Sequence, residues 1–269
     1  MRVSTFIVTL RRAWRSTIMW SAGFGAYGLV VVAVLPDPEG MKKMAEALTA
    51  VPAFVWQMVG VQDVSVLATT GGFIAFRYFL TASVLLAVWA VLTGMNITLN
   101  DESAGISNMV FSLPISRMRV QLEKFAAYLI PCAIIPLSGV VGLMAGMALN
   151  PHAATDLPPL VFSALALVSV GMLIMCFTAL IAVILPRKAW VASIAGGFVA
   201  VSFLFNSVGG MLRSDLGTAM QQFSVFHHSD ASRVLLNGFP LVAVIVMLIV
   251  AGALMAASTR LFMNRDLAG

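Results

Sequence analysis

Charge is what this sequence has least of. Only 10% of its 269 residues are Asp, Glu, Lys or Arg, against 60% hydrophobic, whereas a soluble domain carries about a quarter charged residues. That deficit excludes an ordinary soluble globular domain. Cysteine is nearly missing too. Cys132 and Cys176 are the only two, both inside apolar stretches. A disulfide framework is excluded, and both suit small buried hydrophobes. Histidine is equally scarce: His152 stands alone, and His227 and His228 are adjacent. Neighbours in sequence do not share a helix face, so no metal site is expected. No G-x-x-x-x-G-K-[ST] run and no H-E-x-x-H run occurs. The chain therefore offers neither a phosphate cradle nor a metalloprotease helix, and no enzyme activity or bound cofactor is expected of it. There is no low-complexity tract, fixed-period repeat or soluble domain.

What is present is apolar sequence in long runs. Six runs, at 17–35, 79–99, 125–149, 159–185, 189–208 and 239–258, contain no Asp, Glu, Lys, Arg or His. About 20 helical residues cross a hydrocarbon core, and in lipid every backbone group must be satisfied within the segment, which demands helices. The expected fold is an all-α integral membrane protein with six transmembrane helices in one transmembrane domain, 1–269. Suppose both termini are cytoplasmic. Eleven of the sixteen Lys and Arg residues then fall on inner segments, which is the usual bias. The net charge of +5 is accordingly a topology signal. It does not mark a nucleic-acid surface, because no basic face is interleaved with aromatics. The expected location is the inner or plasma membrane.

The flanking pieces have their own patterns. In 1–16, Val3, Phe6, Ile7, Leu10 and Trp14 share one helical face, with arginines on much of the rest. This predicts an amphipathic interfacial helix. A signal peptide is not expected, since Arg11, Arg12 and Arg15 interrupt the stretch and no clear small-residue cleavage site follows. Segment 36–78 has an apolar stripe of Met41, Met44, Ala45 and Leu48 opposite Lys42, Lys43 and Glu46, predicting a short helix that ends before Pro52. Phe54 and Trp56 suit the outer headgroup level. Segment 209–237 mixes apolar residues with Arg213, Asp215 and Asp230, consistent with further short extracytoplasmic interfacial helices. Gly23, Gly25 and Gly28 match G-x-G-x-x-G, but inside a span they are better explained by close helix packing, as are Gly142 and Gly146. Pro131 and Pro136 fall inside the third span, as a hinge or as prolines tolerated among neighbours. No ionisable group lies inside the runs. Ion-coupled transporters usually need such groups at depth, so any energy input is expected from another molecule.

Between the second and third runs lies NDESAGISNMVFSLPISRMRVQLEK, residues 100–124. Asp101 is a good N-cap, and Glu102 would suit the first turn of a helix. Ile106, Met109, Val110 and Leu113 then form one apolar stripe, and Pro114 stops the helix. Arg117, Arg119 and Lys124 form a basic collar at the start of span three.

Together Glu102, Gly105, the apolar stretch 106–111, Leu113-Pro114-Ile115-Ser116-Arg117 and Lys124 resemble the signature of type-2 ABC exporter permeases, including drug and antibiotic exporters. The six-span plan, the amphipathic N-terminus and the helices before span six extend the resemblance over essentially the whole chain. Family members often carry more charge after the glutamate, where this chain has Ser103 and Ala104. The resemblance implies a division of labour. A separate ATP-binding-cassette subunit binds ATP and Mg, and 101–114 is a coupling helix seated in that ATPase through Asp101, Glu102, Gly105, Ile106, Met109, Val110 and Leu113. Two permease copies, identical or related, form the pathway in the lipid. The uncharged spans fit an amphipathic or lipid-like substrate. The alternatives are a non-transporting membrane anchor that couples an ATPase to a mechanical or signalling partner, and an uncoupled channel.

Overall fold

In a bilayer the residues of an apolar run must close their own hydrogen bonds, and these runs do so as helices. The structure is a computed structural model, and it describes residues 5–50, 52, 69–103, 116–212, 214–228 and 230–264. Among the described residues there is no strand. The helices are α1 (Thr5–Ala33), α2 (Pro38–Thr49), α3 (Thr70–Ile74), α4 (Leu80–Ser103), α5 (Arg117–Leu149), α6 (Leu157–Ile184), α7 (Lys188–Met211), α8 (Asp215–Gln222), α9 (Val225–His228), α10 (Ala231–Asn237) and α11 (Leu241–Asn264). A π-helical stretch, Ala75–Phe79, joins α3 to α4. Six segments are long and apolar enough to cross a membrane: α1, Thr70–Leu99, α5, α6, α7 and α11.

Side-chain caps set several starts. Asp37 Oδ1 accepts from Gly40 N at 2.9 Å, with Pro38 as the first residue of α2, where a missing N–H costs nothing. Thr69 caps α3 through Gly72 N at 3.0 Å, and Ser214 caps α8 through Gly217 N at 3.3 Å. Ser116 caps α5 through Arg119 N at 3.4 Å. The serine of Leu-Pro-x-Ser-Arg therefore has a local role as a helix start. Within the spans, hydroxyls close on their own helix. Thr17 Oγ1 donates to Ala13 O at 2.9 Å and Thr178 Oγ1 to Ile174 O at 2.8 Å, which satisfies them without water.

The bundle is organised around α6. Consecutive residues Leu173, Ile174, Met175 and Cys176 are all buried, so every face of that turn meets protein. Helices α4, α5, α7, α10 and α11 pack on it, as expected for a helix that is apolar all round. On the periphery, Met19 of α1 is 75% exposed and Ile249 of α11 67%. In a membrane these side chains face lipid.

Helix α1 packs chiefly on α5, and glycine makes the seam. A Cβ on Gly28 would stand 2.8 Å from Gly139 O, and one on Gly142 would overlap Gly25 O. Both backbones pass closer than any side chain allows, the device that membrane helices use where lipid supplies no hydrophobic drive. Gly23 has nothing within 4 Å of such a Cβ, so it takes no part in this contact. Ser138 Oγ adds a bond to Ser21 O at 3.0 Å across the seam.

Some elements differ from the sequence expectation. Residues 5–16 run into the first span without a break, because nothing between Thr5 and Ala33 stops the helix. Helix α5 begins at Arg117, two turns before the charge-free run, and passes through Pro131 and Pro136 without interruption. The second span extends back through Arg77 to Thr70. Helix α4 continues through Ser103, which places Asp101 and Glu102 in its last turn and not at the N-cap of a new helix. Phe54, Trp56 and residues 104–115 lie outside the described residues.

Candidate functional site: the coupling end and the far cavity

Both described chain ends lie at one end of the bundle, here the near end, and α5 is the hub there. Three of its first eight residues tie it to three other spans. Glu123 Oε2 accepts from Phe6 N of α1 at 3.1 Å. Lys124 Nζ donates to Ile97 O of α4 at 2.8 Å. Gln121 Nε2 donates to Ser258 Oγ of α11 at 3.3 Å. Glu123 also holds Arg119, Nε to Oε1, at 2.8 Å. The first two turns of α5 are thus bonded to α1, α4 and α11, immediately after segment 104–115.

The residues expected at this site fare differently. Arg119 is exposed and Arg117 partly so, as a collar at a headgroup boundary would be. Lys124 is only 6% exposed. It lies seven residues into α5, about 10 Å along the axis, and its carbonyl bond to α4 explains how a cation is held there. Of the remaining candidates, Asp101 and Glu102 stand at the end of α4, while Gly105, Ile106, Met109, Val110 and Leu113 lie outside the described residues. Gln121, Glu123 and Asn150 were missed from sequence. Gln121 and Lys124 recur at i and i+3 on one face of an otherwise apolar helix, and that spacing was the available signal.

Asn150 plays the matching part at the far end. Its Nδ2 donates to Val32 O at 3.1 Å and Leu35 O at 2.9 Å, joining Leu35 N on the first and pinning the chain just past the end of α1. Its Oδ1 accepts from His152 N at 3.1 Å.

Also at the far end, α8 and α9 pack on α7, α9 reaches α11, and α10 packs on α6 and on the stretch 70–79. Ser202 and Ser224 clasp α7 to α9: Ser224 Oγ donates to Ser202 O at 2.7 Å, and Val225 N donates to Ser202 Oγ at 2.8 Å. Beside this clasp is a cavity of about 860 Å³, with Leu173, Phe223, Phe239, Val242 and Val246 on its walls and Ser224 and His228 among them. Drug-sized ligands occupy sites of roughly 300–1,000 Å³ with mostly apolar walls. His227 is half-buried next to it, and burial, with Arg233 and His228 nearby, holds its pKa below the usual histidine value, against an opposing pull from Asp230. The two imidazoles meet edge to face at 5.7 Å. His152 borders a different cavity, with Glu39, Lys42 and Thr70.

Six membrane-length helices, a far-end cavity and a bonded near-end hub make up a multi-pass membrane protein. The comparison with protein families agrees. The family model described as multidrug efflux system permease Rv1217c, C-terminal domain, matches residues 3–262, and the chain belongs to that family. A comparison with curated proteins finds no match. The resemblance to type-2 ABC exporter permeases is consistent with this family, and a permease is a transporter component.

Proposed function

We propose that this chain is the membrane-spanning subunit of an ATP-driven exporter. It pairs with a second permease copy and couples to a separate ATPase, which carries ATP and Mg, through residues 102–113. The observation that carries this reading is the near-end hub. Segment 104–115 leads directly into two helical turns bonded to α1, α4 and α11. A displacement of that segment would therefore move four spans together, as alternating access requires. The far-end cavity, with apolar walls and a size suited to drug-like molecules, supports an amphipathic efflux substrate. Both termini and the coupling segment then face the cytoplasm, in keeping with the distribution of Lys and Arg.

Two substitutions test the coupling. With the chain and its ATPase co-expressed and reconstituted, Glu102→Ala or Gly105→Pro is expected to leave the complex hydrolysing ATP while efflux of a fluorescent amphipathic dye is lost. Dye efflux at the unsubstituted rate in both variants, or a chain that retains no ATPase on purification, refutes the proposal.

A further inference from the structure

A third, smaller cavity lies at the near end among α1, α4 and α5. Its volume is about 180 Å³, well below the roughly 300–1,000 Å³ of drug-sized sites. It is too small for an efflux cargo of that size and differs in chemistry from the far cavity. Its walls carry Arg12 and Ser16 of α1, Thr93 and Asn96 of α4, and Lys124 and Tyr128 of α5. Each of these side chains can donate a hydrogen bond, two are cations, and no carboxylate lines the cavity among the described residues. The nearest acid on α5, Glu123, is directed to Phe6 N and Arg119 Nε. Thr93 and Lys124 are buried, so the cavity is built into the helix packing.

Its depth matches a headgroup layer. Helix α1 has 29 residues, about 43 Å of helix, while the hydrocarbon core is about 30 Å thick. Roughly 13 Å of α1 must project beyond the apolar layer. The charge-free run starts at Thr17, so the projecting part is the near-end part, and Arg12 and Ser16 stand at the boundary. Basic pockets between membrane helices at this level suit anionic headgroups.

We propose that the near-end cavity holds the phosphate headgroup of an anionic phospholipid, joining α1, α4 and α5 through one shared anion. The site rests on the placement of these helices in a membrane and is independent of ATPase coupling.

The test uses the full chain in nanodiscs of phosphatidylcholine, with or without phosphatidylglycerol, followed by native mass spectrometry of retained lipid. The chain is expected to retain phosphatidylglycerol over phosphatidylcholine by about tenfold, the scale of one charge-assisted contact. Arg12→Gln and Thr93→Val should each abolish most of that preference, and Thr93→Ser should preserve it. Arg15→Gln, one turn away but off the cavity wall, should also preserve it. Melting temperatures in phosphatidylcholine alone verify that each variant folds, and Thr93→Val decides if Arg12→Gln does not. Equal retention of the two lipids overturns the proposal. So does an equal loss in Arg15→Gln, which would indicate general surface attraction. Inorganic phosphate raising the melting temperature in phosphatidylcholine as far as phosphatidylglycerol does would overturn the lipid assignment.

Discussion

Alanine at Gly142 tests the packing argument most directly. A Cβ there would overlap the Gly25 carbonyl oxygen and stand 2.6 and 2.7 Å from its carbonyl carbon and Cα. Ordinary contact begins near 3.4 Å, and the obstacle is backbone, which cannot rotate aside as a side chain can. Helices α1 and α5 would have to move apart by about 1 Å along the seam, losing close contacts at each neighbouring turn. Overpacking typically costs about 1–3 kcal/mol, and a backbone obstacle puts this case at the upper end, about 3 kcal/mol. At roughly 2 °C per kcal/mol for a chain of this size, the melting temperature should fall by about 6 °C. The internal control is Gly23→Ala on α1. No atom lies within 4 Å of its new methyl group, so only helix propensity changes, a gain of about 0.5–1 kcal/mol. Gly25→Ala belongs between them, because its nearest neighbour is Ser138 O at 3.3 Å. Thermal unfolding of the three detergent-purified variants, followed by size-exclusion chromatography, gives the order. If Gly142→Ala melts within about 1 °C of Gly23→Ala, the close-packed seam is wrong.

Two further predictions concern the far end. Asn150→Ala removes both donors to Val32 O and Leu35 O and should lower stability by about 1–3 kcal/mol in the same melting assay; Asn150→Asp, which keeps the shape without the donors, should lose as much, and an unchanged Asn150→Asp would refute the capping role. His227 has a folded pKa below its unfolded value, so the unfolded chain takes up its proton first, and stability should fall as pH drops below about 6.5 toward the folded pKa. His227→Asn should flatten that part of the melting profile, and an equally steep decline in the variant would remove His227 as its source.

The apolar runs determined a great deal by themselves. Nineteen or more residues without charge, as in 17–35, can be satisfied in lipid only as a helix, so the six spans and the all-helical class were legible. The packing role of Gly25, Gly28, Gly142 and Gly146 was legible for a related reason: small residues inside a span have few other uses. Gly23 shows the limit, since its spacing matches and its face does not. Ends were less legible. Residues 5–16 join α1, and α5 starts at Arg117, because a charged residue permits a helix to continue even where it ends a hydropathy run. Least legible were the links between spans. Gln121 meets Ser258, Lys124 meets Ile97, and Asn150 meets Val32 and Leu35; the two partners of each bond are at least 27 residues apart in the chain. No local pattern encodes such a partner. It is decided by which helix faces which, and in a bundle where nearly every face is apolar, only the shapes of the packed surfaces settle that.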